Sequence, residues 1–164
     1  SKWKRISPQS FKPTAKGVGG YMNSTLAKVD AVENGYDDAI MLGDNDVVAE
    51  GSGQNLFLIK NGKIYTPPIE TGALGGITRK TVIEIANNLG LETEETNINA
   101  DQLKDADELF FTGTATEVVG VVSVDGEDIT DGKPGEITGN IRQKYLEIVN
   151  GENEDFLHYL TLVK

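Results

Sequence analysis

The run KPTAKGVGGYMNSTLAK sets one lysine, Lys16, directly against Gly17, with Gly19 and Gly20 close behind. A primary amine in so bare a stretch can bind a phosphate as a cation, condense with a carbonyl to form a Schiff base, or stand in solvent. Three further places offer it partners. Glu50 ends a run rich in valine and alanine and is followed by Gly51-Ser52-Gly53; a carboxylate there faces either a cavity or water. In LGGITRK, Gly75 and Gly76 precede Ile77 and Thr78 at the expected start of a helix. Such an end leaves backbone N–H groups unpaired and carries the positive end of the helix dipole, which suits a phosphate, although a plain helix cap reads the same. In FTGTAT, Thr112, Thr114 and Thr116 surround Gly113 at a strand end, either as a ligand-holding turn or as an ordinary one.

Other chemistries are poorly supplied. The chain has no cysteine and a single histidine, His158, near its C-terminus, so a zinc site or a Ser-His-Asp device lacks its parts. DNDVVAEG does not have the ligand spacing of a calcium loop and reads as a solvated turn. The glycines near Lys16 do not make a P-loop, because there the lysine follows the glycines instead of leading them. The net charge of −11 argues against a nucleic-acid surface. No apolar run approaches the ~18 residues of a membrane helix. SKWKRISPQS lacks the apolar centre of a secretory signal, and with no cysteine the expected location is cytoplasmic.

At 164 residues, 38% hydrophobic and 25% charged, the chain is read as one domain, 1–164, with a substantial core. WKRIS is the expected end of a strand. Residues 20–34 predict a helix, with Leu26, Val29 and Val32 at helical spacing and Gly35 as its stop. Residues 39–42 and 47–49 form an expected hairpin about Asp44-Asn45-Asp46. QNLFLIKNGKIYTPP predicts a second one with Asn61-Gly62 at its tip. Ile77, Val82, Ile85 and Leu89 mark one face of the next helix, which Gly90 stops. ETEETNI is an expected strand, NADQLKDA a short helix capped by its asparagine, and DELFFTGT a buried strand. Two short strands flank Asp125-Gly126, GEITGNIRQKYLEIVNG is a last amphipathic helix, and the tail ENEDFLHYLTLVK is apolar enough to dock. Hairpins and helices mix without strict alternation, so the class is α+β and not a doubly wound nucleotide fold.

Taken together, an amine, a carboxylate, a helix-end phosphate cup and a hydroxyl-rich turn are what pyridoxal 5'-phosphate requires. The glycines then clear space around Lys16, whose amine has to meet an aldehyde. TAKGVGGYMNSTLAK, VAEGSGQNLF, YTPP, LGGITRKTVIEIA, DELFFTGTATEV, SVDG and DGKPGEIT, in that order, give the chain a resemblance to the branched-chain aminotransferases of fold type IV. The resemblance implies a class IV aminotransferase C-terminal domain, a pseudo-barrel of mixed strands surrounded by helices, with the smaller N-terminal domain of the family absent. It implies transfer of an amino group between branched-chain L-amino acids and 2-oxoglutarate, with amino acid and 2-oxo acid substrates and a homodimer.

By the same resemblance, Lys16 is the Schiff-base lysine and the catalytic base, and Tyr21 bonds the cofactor's phenolic oxygen. Glu50 pairs with the ring nitrogen and Leu74 packs on the ring. Ile77, Thr78 and Thr114 hold the phosphate, while Thr114 and Ala115 help hold the substrate carboxylate. A D-amino-acid aminotransferase or an aminodeoxychorismate lyase shares the fold, and a catalytically silent domain or a general phosphate-binding module also fits the residues. Gly20, Gln54, Gly75 and Gly120 depart from the family pattern, which usually has asparagine, glutamate, proline and proline there; none of the four is a proposed chemical group.

Overall fold

A computed structural model describes residues 1–12 and 15–161. Pro13 and Thr14, and the Leu162-Val163-Lys164 end of the tail expected to dock, lie outside the described residues. The chain runs through helix α1 (Tyr21–Glu33), strands β1 (Ile40–Leu42), β2 (Val48–Gly51), β3 (Asn55–Lys60) and β4 (Lys63–Thr66), then helix α2 (Ile77–Asn88) and strand β5 (Thr93–Glu95). Helix α3 (Ala100–Lys104), strands β6 (Glu108–Gly113), β7 (Glu117–Val121), β8 (Ser123–Val124) and β9 (Glu127–Asp128), and helix α4 (Glu136–Val149) complete it. The expected α+β architecture is the one the chain adopts.

The centre is a five-stranded sheet in the order β5-β4-β3-β6-β7, antiparallel except where β4 and β5 pair in parallel. β3 and β6 are buried at nearly every position because both faces of the sheet are covered. Alternate residues separate the two cores. Phe57, Ile59 and Phe110 face α2 and α4, where Val82, Ile85, Ile141, Tyr145 and Ile148 meet them. Leu56, Leu58, Leu109 and Phe111 face the other way, onto Val48, Ile98 and Leu103. Phe57 and Phe110, opposite each other in the ladder, stack at 4.8 Å. The two hairpin tips have left-handed backbone at both central residues, Asn61-Gly62 (φ 52° and 74°) and Asp125-Gly126 (φ 52° and 81°), as tight two-residue turns demand.

Three expectations need correction. WKRIS is not a strand, although its backbone runs beside β1 and the Arg5 N–H donates to the Leu42 carbonyl at 2.7 Å. In α1 the large apolar residues face outward: Leu26, Val29 and Val32 are 41%, 48% and 56% exposed. The buried positions are Ser24 and Ala27, and small side chains there let the helix sit close on Ala39 and Met41. In α2, Val82 and Ile85 are buried as expected, but Ile77 is exposed at the first turn, and Leu89 is exposed just past the last. Beyond α4, residues Glu154–Tyr159 form a 3-10 turn whose Phe156 joins the α2/α4 core.

The N-terminus of α4 is capped from another element. Its N-cap residue, Gly135, has no side chain, and the Glu108 carboxylate on β6 accepts instead from Ile137 N (3.0 Å), Thr138 N (2.7 Å) and Thr138 Oγ1 (2.6 Å). That contact fixes the helix to the central strand which ends at Thr112 and Gly113.

Candidate functional site

The ends of β2, β3 and β6, the start of α2 and the segment leading into α1 enclose a cavity of about 390 Å³. Lys16, Tyr21, Glu50, Leu74, Ile77, Thr78 and Thr114 all line it. Ala115, exposed in the turn between β6 and β7, does not. Seven of the eight residues singled out in the sequence therefore share one cavity.

Glu50 lies on its floor. It is 3% exposed, so the reading of a solvated strand-end acid does not hold. Burial pushes its carboxyl above the ordinary carboxylate range; Arg5, the Leu74 N–H and, from farther off, Lys16 and Arg79 pull it back. Its oxygens are well supplied with donors. Oε1 meets the Arg5 guanidinium at 2.9 Å, and Oε2 accepts from Asn55 Nδ2 at 3.0 Å and from Leu74 N at 2.9 Å. An ionised carboxylate has about four acceptor positions, so these three donors leave one, on Oε1. A buried anion with a single open acceptor position is suited to one further N–H of a ligand.

Arg5 is a functional residue that no motif in the sequence marks. Its guanidinium ties Glu50 to Ser24 Oγ on α1 (2.7 Å) and to the Gly72 carbonyl (3.3 Å), so it spans the cavity from helix to loop. The one sign of it is WKRIS itself, which reads equally well as a strand end. Asn55 is a second such residue; nothing in QNLF identifies it as a partner of Glu50.

On a second wall, α2 begins without any side-chain cap. Its N-cap is Gly76, and Ile77 and Thr78 open the helix into the cavity, with the Thr78 side chain buried beside them. Open N–H groups at a helix start, together with the dipole, favour an anion. Thr112 lies on the same sheet face as Phe110 and pairs with Asn55 across the ladder. Its hydroxyl is fully buried at the cavity edge and has no hydrogen-bond partner among the described residues. The charge balance agrees with anion binding: in a chain of net charge −11, the charged residues on this cavity, among those described, are Arg5, Lys16 and Glu50. Once Arg5 is paired with Glu50, the Lys16 charge is left for a ligand.

Lys16 stands exposed at the mouth. The glycines beside it make room, but not for the amine. A Cβ on Gly17 or on Gly20 would stand 3.1 Å from the Phe11 ring, while one on Gly19 would meet nothing. Phe11 fills that space and forms an apolar wall of the cavity. A glycine at position 20 leaves room for the Phe11 ring.

Behind Glu50, the Gly51–Gly53 turn is held by Asp38. Its carboxylate accepts from Ala39 N (2.7 Å), Ser52 Oγ (2.5 Å), Gln54 Nε2 (2.9 Å) and Lys28 Nζ (2.9 Å). Burial opposes its charge, yet Ser52, Lys28, Ala39 and Gln54 together hold the carboxyl below its usual range. Gln54 donates here through its amide, which an ionised glutamate at the same position has no hydrogen to do. Among the described residues no cluster of acids and histidine is arranged to hold a metal ion.

The parts fit pyridoxal 5'-phosphate: a lysine at the mouth, a buried acid with one open position, and an uncapped helix start beside an orphaned hydroxyl. The chain is similar to known proteins. The profile of the amino-transferase class IV family matches residues 1–124. A branched-chain-amino-acid aminotransferase of Escherichia coli K12 is 40% identical over 155 residues, which are 94% of this chain and 50% of that protein. One from Pseudomonas aeruginosa is 45% identical over 150 residues, 92% of this chain and 48% of its own. Among solved structures, a T.th. branched-chain amino acid aminotransferase in complex with N-(5'-phosphopyridoxyl)-L-glutamate superposes with a TM-score of 0.97 at 42% identity, over 100% of this chain and 54% of that one. The enzyme from Thermoproteus uzoniensis, solved with norvaline, gives 0.94 at 43% identity over 98% of this chain and 53% of its own. The chain thus spans about half the length of the relatives it matches. With that match running from the first residue through β8, the chain belongs to the class IV aminotransferase family.

Proposed function

We propose that the protein to which this chain belongs transfers amino groups between branched-chain L-amino acids and 2-oxoglutarate with pyridoxal 5'-phosphate as cofactor. The observation that carries this is Glu50: a carboxylate buried at the floor of a cavity, donor-saturated except at one position, with a lysine at the mouth and a helix start at the side. When bound, the cofactor supplies an aldehyde carbon that takes up the amino group and a ring that accepts electrons from the substrate Cα.

The chain's own residues divide the remaining work. Ile77 and Thr78 offer backbone N–H groups to the phosphate, with the hydroxyls of Thr78 and Thr114 beside them. Glu50 accepts the N–H of the ring and favours its protonated form; Arg5 and Asn55 hold the carboxylate in place. Leu74 bears on the ring face and Tyr21 reaches its phenolic oxygen. Lys16 would hold the cofactor through its amine, and that amine, when free, would accept the proton from the substrate Cα as general base. Thr114, which lines the cavity, and Ala115 next to it would help hold the substrate carboxylate. The branched side chain as substrate class rests on the relatives, which are named branched-chain enzymes, and on the neighbour solved with 4-methylvaleric acid. Phe11 supplies an apolar wall consistent with it.

Incubation with pyridoxal 5'-phosphate followed by borohydride tests the reading. The expected result is a visible-edge absorbance that borohydride removes, and a cofactor mass fixed on the peptide carrying Lys16. Absence of the adduct, or its survival in Lys16→Ala, would sink the proposal.

A further inference from the structure

Asn55, the first residue of β3, is 6% exposed and stands between the two fittings of the cavity. Its Nδ2 donates to Glu50 Oε2 at 3.0 Å and to the Leu74 carbonyl at 2.7 Å, and Leu74 N returns a bond to the same Oε2 at 2.9 Å. The amide has one orientation, because the Leu74 carbonyl and the carboxylate are both acceptors and Oδ1 turned toward them would face only oxygens. The opposite edge of the amide, Oδ1, lies against Gly76, where a Cβ would come within 2.2 Å of it. Gly76 is the N-cap of α2, and the residues that follow it are the anion cup. One side chain therefore touches the acid, the loop after it and the helix start.

We infer that Asn55 is a positioning residue that fixes the distance between the buried carboxylate and the anion cup, so that one rigid ligand is gripped at both ends. The inference rests on the reading above, in which those ends are the ring nitrogen and the phosphate of a pyridoxal cofactor. A second grip on a rigid molecule adds to the first only when the two are held at the ligand's own spacing. The Asn55 bonds to Glu50 and Leu74 supply that constraint, and the contact with Gly76 extends it to α2. Glycine at position 76 follows from the same contact, since its backbone (φ −64°, ψ 142°) would suit alanine and only the Asn55 oxygen stands in the way.

Two variants test this, Asn55→Ala, which removes the link, and Gly76→Ala, which drives the amide off its seat from the other side. Binding to each is measured by fluorescence and calorimetry for three probes: pyridoxal 5'-phosphate, pyridoxal and inorganic phosphate. The expected pattern is a loss of about tenfold or more for pyridoxal 5'-phosphate, with the two half-ligands within about twofold of wild type, because only the whole molecule uses both grips. Unchanged affinity for pyridoxal 5'-phosphate in both variants overturns the inference. An equal loss for all three probes also overturns it, since that is the mark of a merely structural residue. Should Asn55→Ala fail to fold, Gly76→Ala gives the same reading with the amide still present. If wild type itself fails to bind pyridoxal 5'-phosphate, the parent reading falls and takes this one with it; variants that lose a grip which wild type has do not touch the parent.

Discussion

Replacing Arg5 by methionine isolates the electrostatic problem at the floor of the cavity. Methionine keeps much of the volume and removes the guanidinium in contact with Glu50, whose side chain is 4% exposed. Breaking a buried pair by deleting one partner costs on the order of 3–5 kcal/mol, most of it from the charge left unpaired. Glu50 can escape that cost by taking up a proton, so the deficit depends on pH, and its sign is fixed. Burial already holds the Glu50 carboxyl above its ordinary range, and Arg5 is the strongest influence lowering it. A carboxyl raised in the folded state contributes stability that is present at pH below its unfolded value and is lost as pH rises through the folded one. Arg5→Met raises the folded value further and carries the loss to higher pH.

Below the wild-type Glu50 transition both proteins hold the same proton, and the variant differs by the lost bonds of Arg5 to Ser24, to Gly72 and to the neutral carboxyl. Above it the gap widens, at up to about 1.4 kcal/mol per pH unit for one proton, until the variant ionises as well. Urea denaturation of the cofactor-free chain over a series of pH values above the ordinary carboxylate range reads this directly. A constant offset at every pH would refute the reasoning, and so would a pH-dependent gap that persists in Arg5→Met combined with Glu50→Gln.

Three other substitutions have definite outcomes. Glu108→Ala removes all three bonds that the carboxylate makes to the start of α4, and because Gly135 provides no cap of its own, the loss should be about 2 kcal/mol by urea denaturation. Thr112→Val deletes a buried hydroxyl that has no partner among the described residues, so the cofactor-free chain should melt higher, by about 1 kcal/mol of stability, when followed by calorimetry. Gly20→Asn brings a Cβ to 3.1 Å from Phe11; the expected result is a lower melting temperature, relieved when Phe11→Ala is added.

What the sequence discloses, and what it hides, divides by the range of the interaction. Turns at Asn61-Gly62 and Asp125-Gly126 are legible because a left-handed pair is a property of two adjacent residues. Strands β3 and β6 are legible because a short apolar run, LFLI or LFF, is local. The site is legible as far as each fitting is a short motif: the lysine by its glycines, the acid by its strand end, the cup by LGGIT. The buried face of α1 is not, because periodicity tells which residues share a side but not which side is covered. Close packing on Ala39 and Met41 selects Ser24 and Ala27 instead of the larger Leu26, Val29 and Val32. Arg5 and Asn55 escape for a different reason. Neither has a spacing to Glu50 that any helix or strand imposes, and an arginine in a basic N-terminal run looks like any solvated cation. Their part follows from desolvation: a carboxylate placed where water cannot reach needs donors from wherever the fold can bring them. Here those donors come from the segment before α1, from β3 and from the loop before α2. The donors that hold Glu50 are therefore also contacts that hold the walls of the cavity together, and a chain that lost them would lose the spacing of its site before it lost its fold.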